Sequence, residues 1–242
     1  MADASERRNI AGDLLMKSYF HARGPWLATV VAIMFAVSVA QGGISYTMAF
    51  GPLRDLLPRD RSVVATILVI LRFGLVALMA ALWTLRRKHA LFRLIVIANG
   101  FFTLALLIHT SALIAVLFGS ASEAVDALML DVALMAVSNI LIFSIWYWII
   151  DPPGIEESAR ADAPWDFLFP QRGSSLPHYE SWVPRYWDYL FLAFTTSFAF
   201  SPTDTLPLTQ RAKMLMLLQA AISVVTLTGV AGSAINILAG GK

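Results

Sequence analysis

Cysteine is absent from all 242 residues, which excludes disulfides, thiolate metal sites and a cysteine nucleophile and leaves the redox compartment unread. Charge is scarce as well, with 14% of residues Asp, Glu, Lys or Arg, against roughly 25% in soluble domains. The net charge of +2 is too small to point to nucleic acid, so no nucleic-acid partner is expected. His109, Asp131 and several serines stand in apolar runs, yet no Gly-x-Ser-x-Gly, His-Glu-x-x-His or paired-aspartate motif accompanies them. An enzyme is therefore not expected, nor a cofactor or bound metal.

What the chain has in excess is apolar surface. Hydrophobic residues make up 58% of it, laid out in blocks able to cross a hydrocarbon layer of about 30 Å, which takes roughly 20 residues of helix. Four blocks, 25–50, 62–85, 91–118 and 122–150, are followed by a fifth at 212–238. The fold class this predicts is all-α, a polytopic transmembrane helical bundle with five clear spans. Trp26, Trp83, Trp146, Tyr147 and Trp148 sit at block ends, where amphipathic rings favour the headgroup layer. Arg7, Arg8, Lys17 and Arg23 precede the first block as in a secretory signal, but the block exceeds a signal core of roughly 7 to 15 residues. It is read as an uncleaved first span, with "NIAGDLLMKSYF" ahead of it as an amphipathic segment on the membrane surface. The organisation is then an N-terminal segment 1–24, a four-helix bundle 25–150, a proline-rich acidic loop 151–185, and a closing unit 186–242.

Basic residues beside spans resist crossing and mark the cytoplasmic side. Eight of them, the four above with Arg86, Arg87, Lys88 and Arg93, fall on one side, against Arg54, Arg59 and Arg61 on the other. This predicts a multi-pass protein of the cell (inner) membrane with a cytoplasmic N-terminus. In the loop, six prolines break regular structure and six carboxylates outnumber three arginines. Its "PWDFLFP" is too aromatic for a free linker and is expected to tuck against the bundle or the lipid.

Ionisable groups inside a span are costly unless paired or facing a cavity. Gln41, Arg72, His109 and Asp131 lie nine or ten residues from the outer ends of their spans, roughly 13 to 15 Å deep at about 1.5 Å per residue. Small residues share their faces: Ser38 and Ser45 with Gln41, Ala98, Ala105 and Ala112 with His109, and Ala124, Ala127 and Ser138 with Asp131. Two readings follow. Arg72 and Asp131 form an internal salt bridge with His109 and Gln41 completing its hydrogen bonds, or the four form a polar constriction or proton relay. A voltage sensor needs several arginines at helical spacing, and Arg72 stands alone. Asn99 and Asn139, nearer the inner side, are read as bridges between helices.

In the stretch "YWDYLFLAFTTSFAFSPTDTLP", 186–207, the helical part 187–201 reaches only about 23 Å, short of the hydrocarbon core. It is either a short crossing helix over 187–201, continued in extended form and leaving both chain ends inside, or a re-entrant half-helix ending at Pro202; crossing is the expected arrangement. Asp188 suits its first turn, and Asp204 an exposed turn before the last span. That span carries Gln219, Ser223, Thr226 and Ser233 on one stripe, facing either a wet passage or another helix, with Gly229 and Ser233 forming a small-xxx-small pair that favours close packing. Thr195, Thr196, Gln219, Ser223 and Thr226 are the candidate passage-lining residues.

The order "YWDYLFLAFTTSFAFSPTD", a basic pair (Arg211, Lys213) and a long helix ending in Asn236, with "DFLFP" before it, resembles the carboxyl-terminal part of an uncharacterised bacterial family of predicted polytopic membrane proteins. That resemblance implies fold and membrane location. More distantly, 186–238 resembles the pore module of potassium channels, with Asp188 to Thr196 in the place of the pore helix. The filter of that family, Thr-Val-Gly-Tyr-Gly, is replaced by Thr196, Ser197, Phe198, Ala199, Phe200 and Ser201, without a glycine to let carbonyls line the pathway. A potassium filter is not expected. The functional expectation is an ion channel or transporter with a mid-membrane polar layer; the alternative is a non-catalytic helical subunit or scaffold of a larger membrane assembly. Expected partners are membrane lipids and either copies of the chain or other membrane subunits.

Overall fold

The computed structural model describes residues 24–50, 61–117, 125–151, 165–173, 179, 182–199 and 204–240. The surface segment expected within 1–24 and the connection holding Arg54 and Arg59 lie outside them. A 3-10 turn (Gly24–Trp26) leads into α1 (Leu27–Phe50), followed by α2 (Arg61–Thr84), α3 (Lys88–Leu117) and α4 (Val125–Ile150). Next come β1 (Phe167–Leu168), α5 (Tyr186–Ala199), β2 (Leu206–Pro207) and α6 (Gln210–Gly240). Each long helix matches an apolar block to within three residues at either end. Helix is the form such a block must take in lipid, because it bonds every backbone N–H and C=O within the segment.

Five helices are long and apolar enough to cross a membrane. α4 is the central one, packing against α1, α3, α5 and α6. α2 is the outermost, held by α1 and α3, with Ile67, Ile70, Leu71 and Leu78 exposed as a lipid-facing side requires. Amides bridge the helices as expected: Asn99 Nδ2 donates to Ile142 O at 3.2 Å, and Asn139 Nδ2 to Ser223 Oγ at 2.8 Å. α6 runs antiparallel to α4, from Arg211 beside Ile150 to Gly229 beside Val132. A Cβ on Gly229 would stand 3.3 Å from both Leu113 and Val132, so glycine sets how closely α6 approaches α3 and α4.

α5 starts with a half capping box, Asp188 Oδ2 accepting the Arg185 N–H at 2.6 Å. It buries Tyr186, Tyr189, Leu192, Ala193 and Thr196. Its opposite stripe, Trp187, Phe191, Phe194 and Phe198, is exposed. The expected crossing of the membrane by this helix is corrected here. Tyr189, in its first turn, donates to Asp151 at the end of α4 (2.6 Å), and Asp151 accepts the N–H groups of Asp166 and Phe167. β2, seven residues beyond Ala199, pairs antiparallel with β1 at that same end. The chain therefore enters and returns on one side, with α5 as a re-entrant half-helix and α6 as the fifth traversal. α1 begins and α6 finishes at opposite ends of the bundle, whereas crossing placed both termini on one side. The sequence misses this because a two-residue β pairing carries no periodic signal.

The aromatic loop tucks in as expected. Phe167 and Phe169 are buried, with Phe167 edge-on to Tyr147 at 5.1 Å and Phe169 edge-on to Tyr189 at 5.5 Å. Asp204 lies in an exposed turn before α6, also as expected.

Candidate functional site at mid-bundle

α1 organises the site through three polar side chains on its second half. Gln41 and Ser45, four residues apart, share one face; Thr47, two residues past Ser45, is turned about 200° away. The glycines report the same geometry: a Cβ on Gly42 would meet Phe73 of α2 at 3.9 Å, and one on Gly43 would meet Leu134 of α4 at 3.0 Å. One flank of α1 thus faces α2 and the other faces α4.

Arg72 comes from α2 and is 1% exposed, on the same helix side as the buried Val76 and Met79. Its Nη1 donates to Ser45 Oγ at 2.7 Å and to the Gln41 carbonyl at 3.1 Å. Ser45 Oγ also lies 3.5 Å from His109 Nε2. Ser45 accepts from Arg72, and its hydroxyl gives a proton to that nitrogen or accepts one from it according to the tautomer of the His109 ring. Asp131 comes from α4 on the other flank, where Thr47 donates to its Oδ1 at 2.6 Å. Gln41 Nε2 donates across to the Phe102 carbonyl of α3 at 2.9 Å.

The four predicted layer residues are thus all buried and held along α1 between Gln41 and Thr47, about 9 Å of its length, but they are not joined as a salt bridge. The ion pairs among the described residues are Asp151–Arg172 and Asp166–Arg211. The expected Arg72–Asp131 bridge is corrected because α1 stands between the two groups, each docked to a hydroxyl on its own flank. Among the described residues, Asp131 Oδ2, Arg72 Nε, His109 Nδ1, Gln41 Oε1 and Ser138 Oγ are buried without a hydrogen-bond partner. Such atoms are costly in an apolar interior. The layer is therefore under-satisfied: a guanidinium and a carboxylate face inward, each with hydrogen bonds and neither with a counter-charge among the described residues.

The passage-lining candidates fall elsewhere. Gln219 is fully engaged, its carbonyl oxygen accepting from Tyr147 and its amide donating to the Ala193 carbonyl and Ser197 Oγ, both at 2.8 Å. Ser223 accepts from Asn139. The hydroxyls of Thr195, Thr196 and Thr226 donate to carbonyls one turn back in their own helices. Gln219 and Ser223 fasten α4, α5 and α6 together.

A third polar cluster, which sequence reasoning passed over as loop charge, sits at the rim. Asp151 and Asp166 are both fully buried. Asp151 takes Arg172 at 2.8 Å together with two backbone N–H groups and the Tyr189 phenol. Asp166 takes Arg211 Nε at 2.6 Å and the Thr209 hydroxyl. The available signal was that these two acids stand beside buried aromatics, Trp148 for one and Phe167 for the other. In comparisons with known proteins, no protein family, no curated protein and no solved structure matches the chain.

Proposed function

We propose that this multi-pass membrane protein moves a proton or small ion across the bilayer, with the layer of Gln41, Arg72, His109 and Asp131 as its selective step. The observation that supports this reading is the uncompensated charge at mid-bundle. A structural ion pair is the least costly way to keep an arginine and an aspartate inside a membrane, yet Arg72 and Asp131 dock separately and leave Nε and Oδ2 open. Open donors and acceptors at that depth suit a species that arrives and leaves. The route runs along α1, between its hydroxyls and the groups from α2, α3 and α4. The hydrogen-bonded α4–α5–α6 contact is the fixed wall. By the charge rule, the end carrying Arg86, Arg87 and Lys88 faces the cytoplasm.

The test is dissipation of a pH gradient by the purified chain in proteoliposomes, with Asp131→Asn as the variant. The wild type should relax the gradient and the variant should lose roughly an order of magnitude or more in rate, as removal of an essential proton carrier does. Flux that persists unchanged in the variant refutes the carboxylate's role. In a second reading, a helical subunit of a larger assembly or a homo-oligomer, the exposed apolar side of α2 meets a protein partner in place of lipid. Cross-linking from Ile67 or Ile70 in native membranes should then give one discrete adduct rather than none.

A further inference from the structure

Where α1 begins and α2 turns into α3, Leu27, Leu82, Trp83, Arg86, Lys88 and Leu91 line a cavity of about 510 Å³. Its walls are of two kinds. Leu27 and Leu91 are buried and form an apolar floor, while Arg86 and Lys88 form an exposed cationic rim beside the half-exposed Trp83 ring. Neither cation is in an ion pair among the described residues.

The backbone holds that rim at a cost. Arg87 N–H bonds the Leu82 carbonyl and Arg86 N–H the Trp83 carbonyl, both at 3.0 Å, which is the paired closure of a Schellman helix end. Its left-handed position is normally glycine, and here Arg86 occupies it with φ 56°. A side chain in that conformation points to a use for it. Lys88 is drawn over the start of α1, so that a Cβ on Gly24 would stand 3.2 Å from its Nζ. α3 starts at Lys88, which places the electropositive end of that helix at the same rim.

We propose that this cavity binds the phosphate of an anionic phospholipid, with Arg86 and Lys88 as headgroup ligands and with Leu82, Trp83 and the leucine floor against the roots of the acyl chains. Two cations without an ion pair among the described residues favour a headgroup of net negative charge over a zwitterionic one, and the apolar floor favours a lipid over a free anion. The site is separate from the mid-bundle layer, so it stands whether or not ions pass there.

The test is native mass spectrometry of the full chain in mild detergent with equal phosphatidylglycerol and phosphatidylcholine, and a parallel arm with excess inorganic phosphate. The wild type should retain phosphatidylglycerol over phosphatidylcholine by about thirtyfold, the scale of two cations near a headgroup, and inorganic phosphate should leave the bound lipid in place. Arg86→Gly relieves the left-handed backbone, so the fold is kept, and that variant and Lys88→Gln should each bring the two lipids toward parity. Equal retention by the wild type, unchanged preference in both variants, or displacement of the lipid by inorganic phosphate overturns the assignment.

Discussion

Asp151→Asn is the substitution whose effect follows most directly from the geometry. The carboxylate is fully buried at the end of α4, and Arg172, its partner, is 4% exposed. Oδ1 accepts the N–H groups of Asp166 and Phe167 at 3.0 and 3.2 Å, while Oδ2 accepts Arg172 Nη2 at 2.8 Å and the Tyr189 phenol at 2.6 Å. An asparagine presents one oxygen and one NH2 group, so whichever way it turns, a donor meets donors. It also leaves the Arg172 charge buried without its partner. Breaking a buried pair in this way costs about 3 to 5 kcal/mol, a shift of roughly two to three and a half decades in the unfolding equilibrium. Arg172→Gln should cost less, because Asp151 keeps three donors. Combined with Asp151→Asn it should show coupling of about 1 to 3 kcal/mol. Reversible unfolding in mixed micelles gives the cycle, and limited proteolysis shows whether the loss opens the 152–185 loop or the whole bundle. A cost of about 0 to 1 kcal/mol, the scale of a surface pair, together with wild-type protease resistance, would refute the reasoning.

Two further substitutions probe the packing. Gly43→Leu forces a side chain against Leu134, where a Cβ alone would already stand at 3.0 Å; overpacking should cost about 1 to 3 kcal/mol and weaken the Thr47–Asp131 contact, while Gly43→Ala should cost clearly less in the same unfolding assay. Gln219→Leu removes the bonds to Tyr147, Ala193 and Ser197 that fasten α5 to α4 and α6. Interhelical hydrogen bonds in membranes average about 0.6 kcal/mol, so the loss should total about 1 to 2 kcal/mol and expose α5 to protease first.

The spans were legible in the sequence because hydrophobic length alone reports them, and the depth of Arg72, His109 and Asp131 was legible because residues can be counted from a span end. Their relation was not. Counting places a group at a height, whereas whether two groups meet depends on the rotation of the helix between them, and α1 carries Ser45 and Thr47 on opposite flanks. The Gln219 stripe was found as a face, but a run of hydroxyls and amides reads the same against water as against the carbonyls of a neighbouring helix. Asp151 and Asp166 were lost among loop carboxylates because their burial arises from the fold of a proline-rich segment onto α4.

The central claim is that Arg72 and Asp131 are buried at mid-bundle without pairing, with Nε and Oδ2 lacking hydrogen-bond partners that a transient species would supply. A density map fine enough to show ordered water tests it most directly. The account predicts water or an ion within hydrogen-bond reach of Asp131 Oδ2 and Arg72 Nε; a direct Arg72–Asp131 contact, or apolar side chains closing over both atoms, would contradict it.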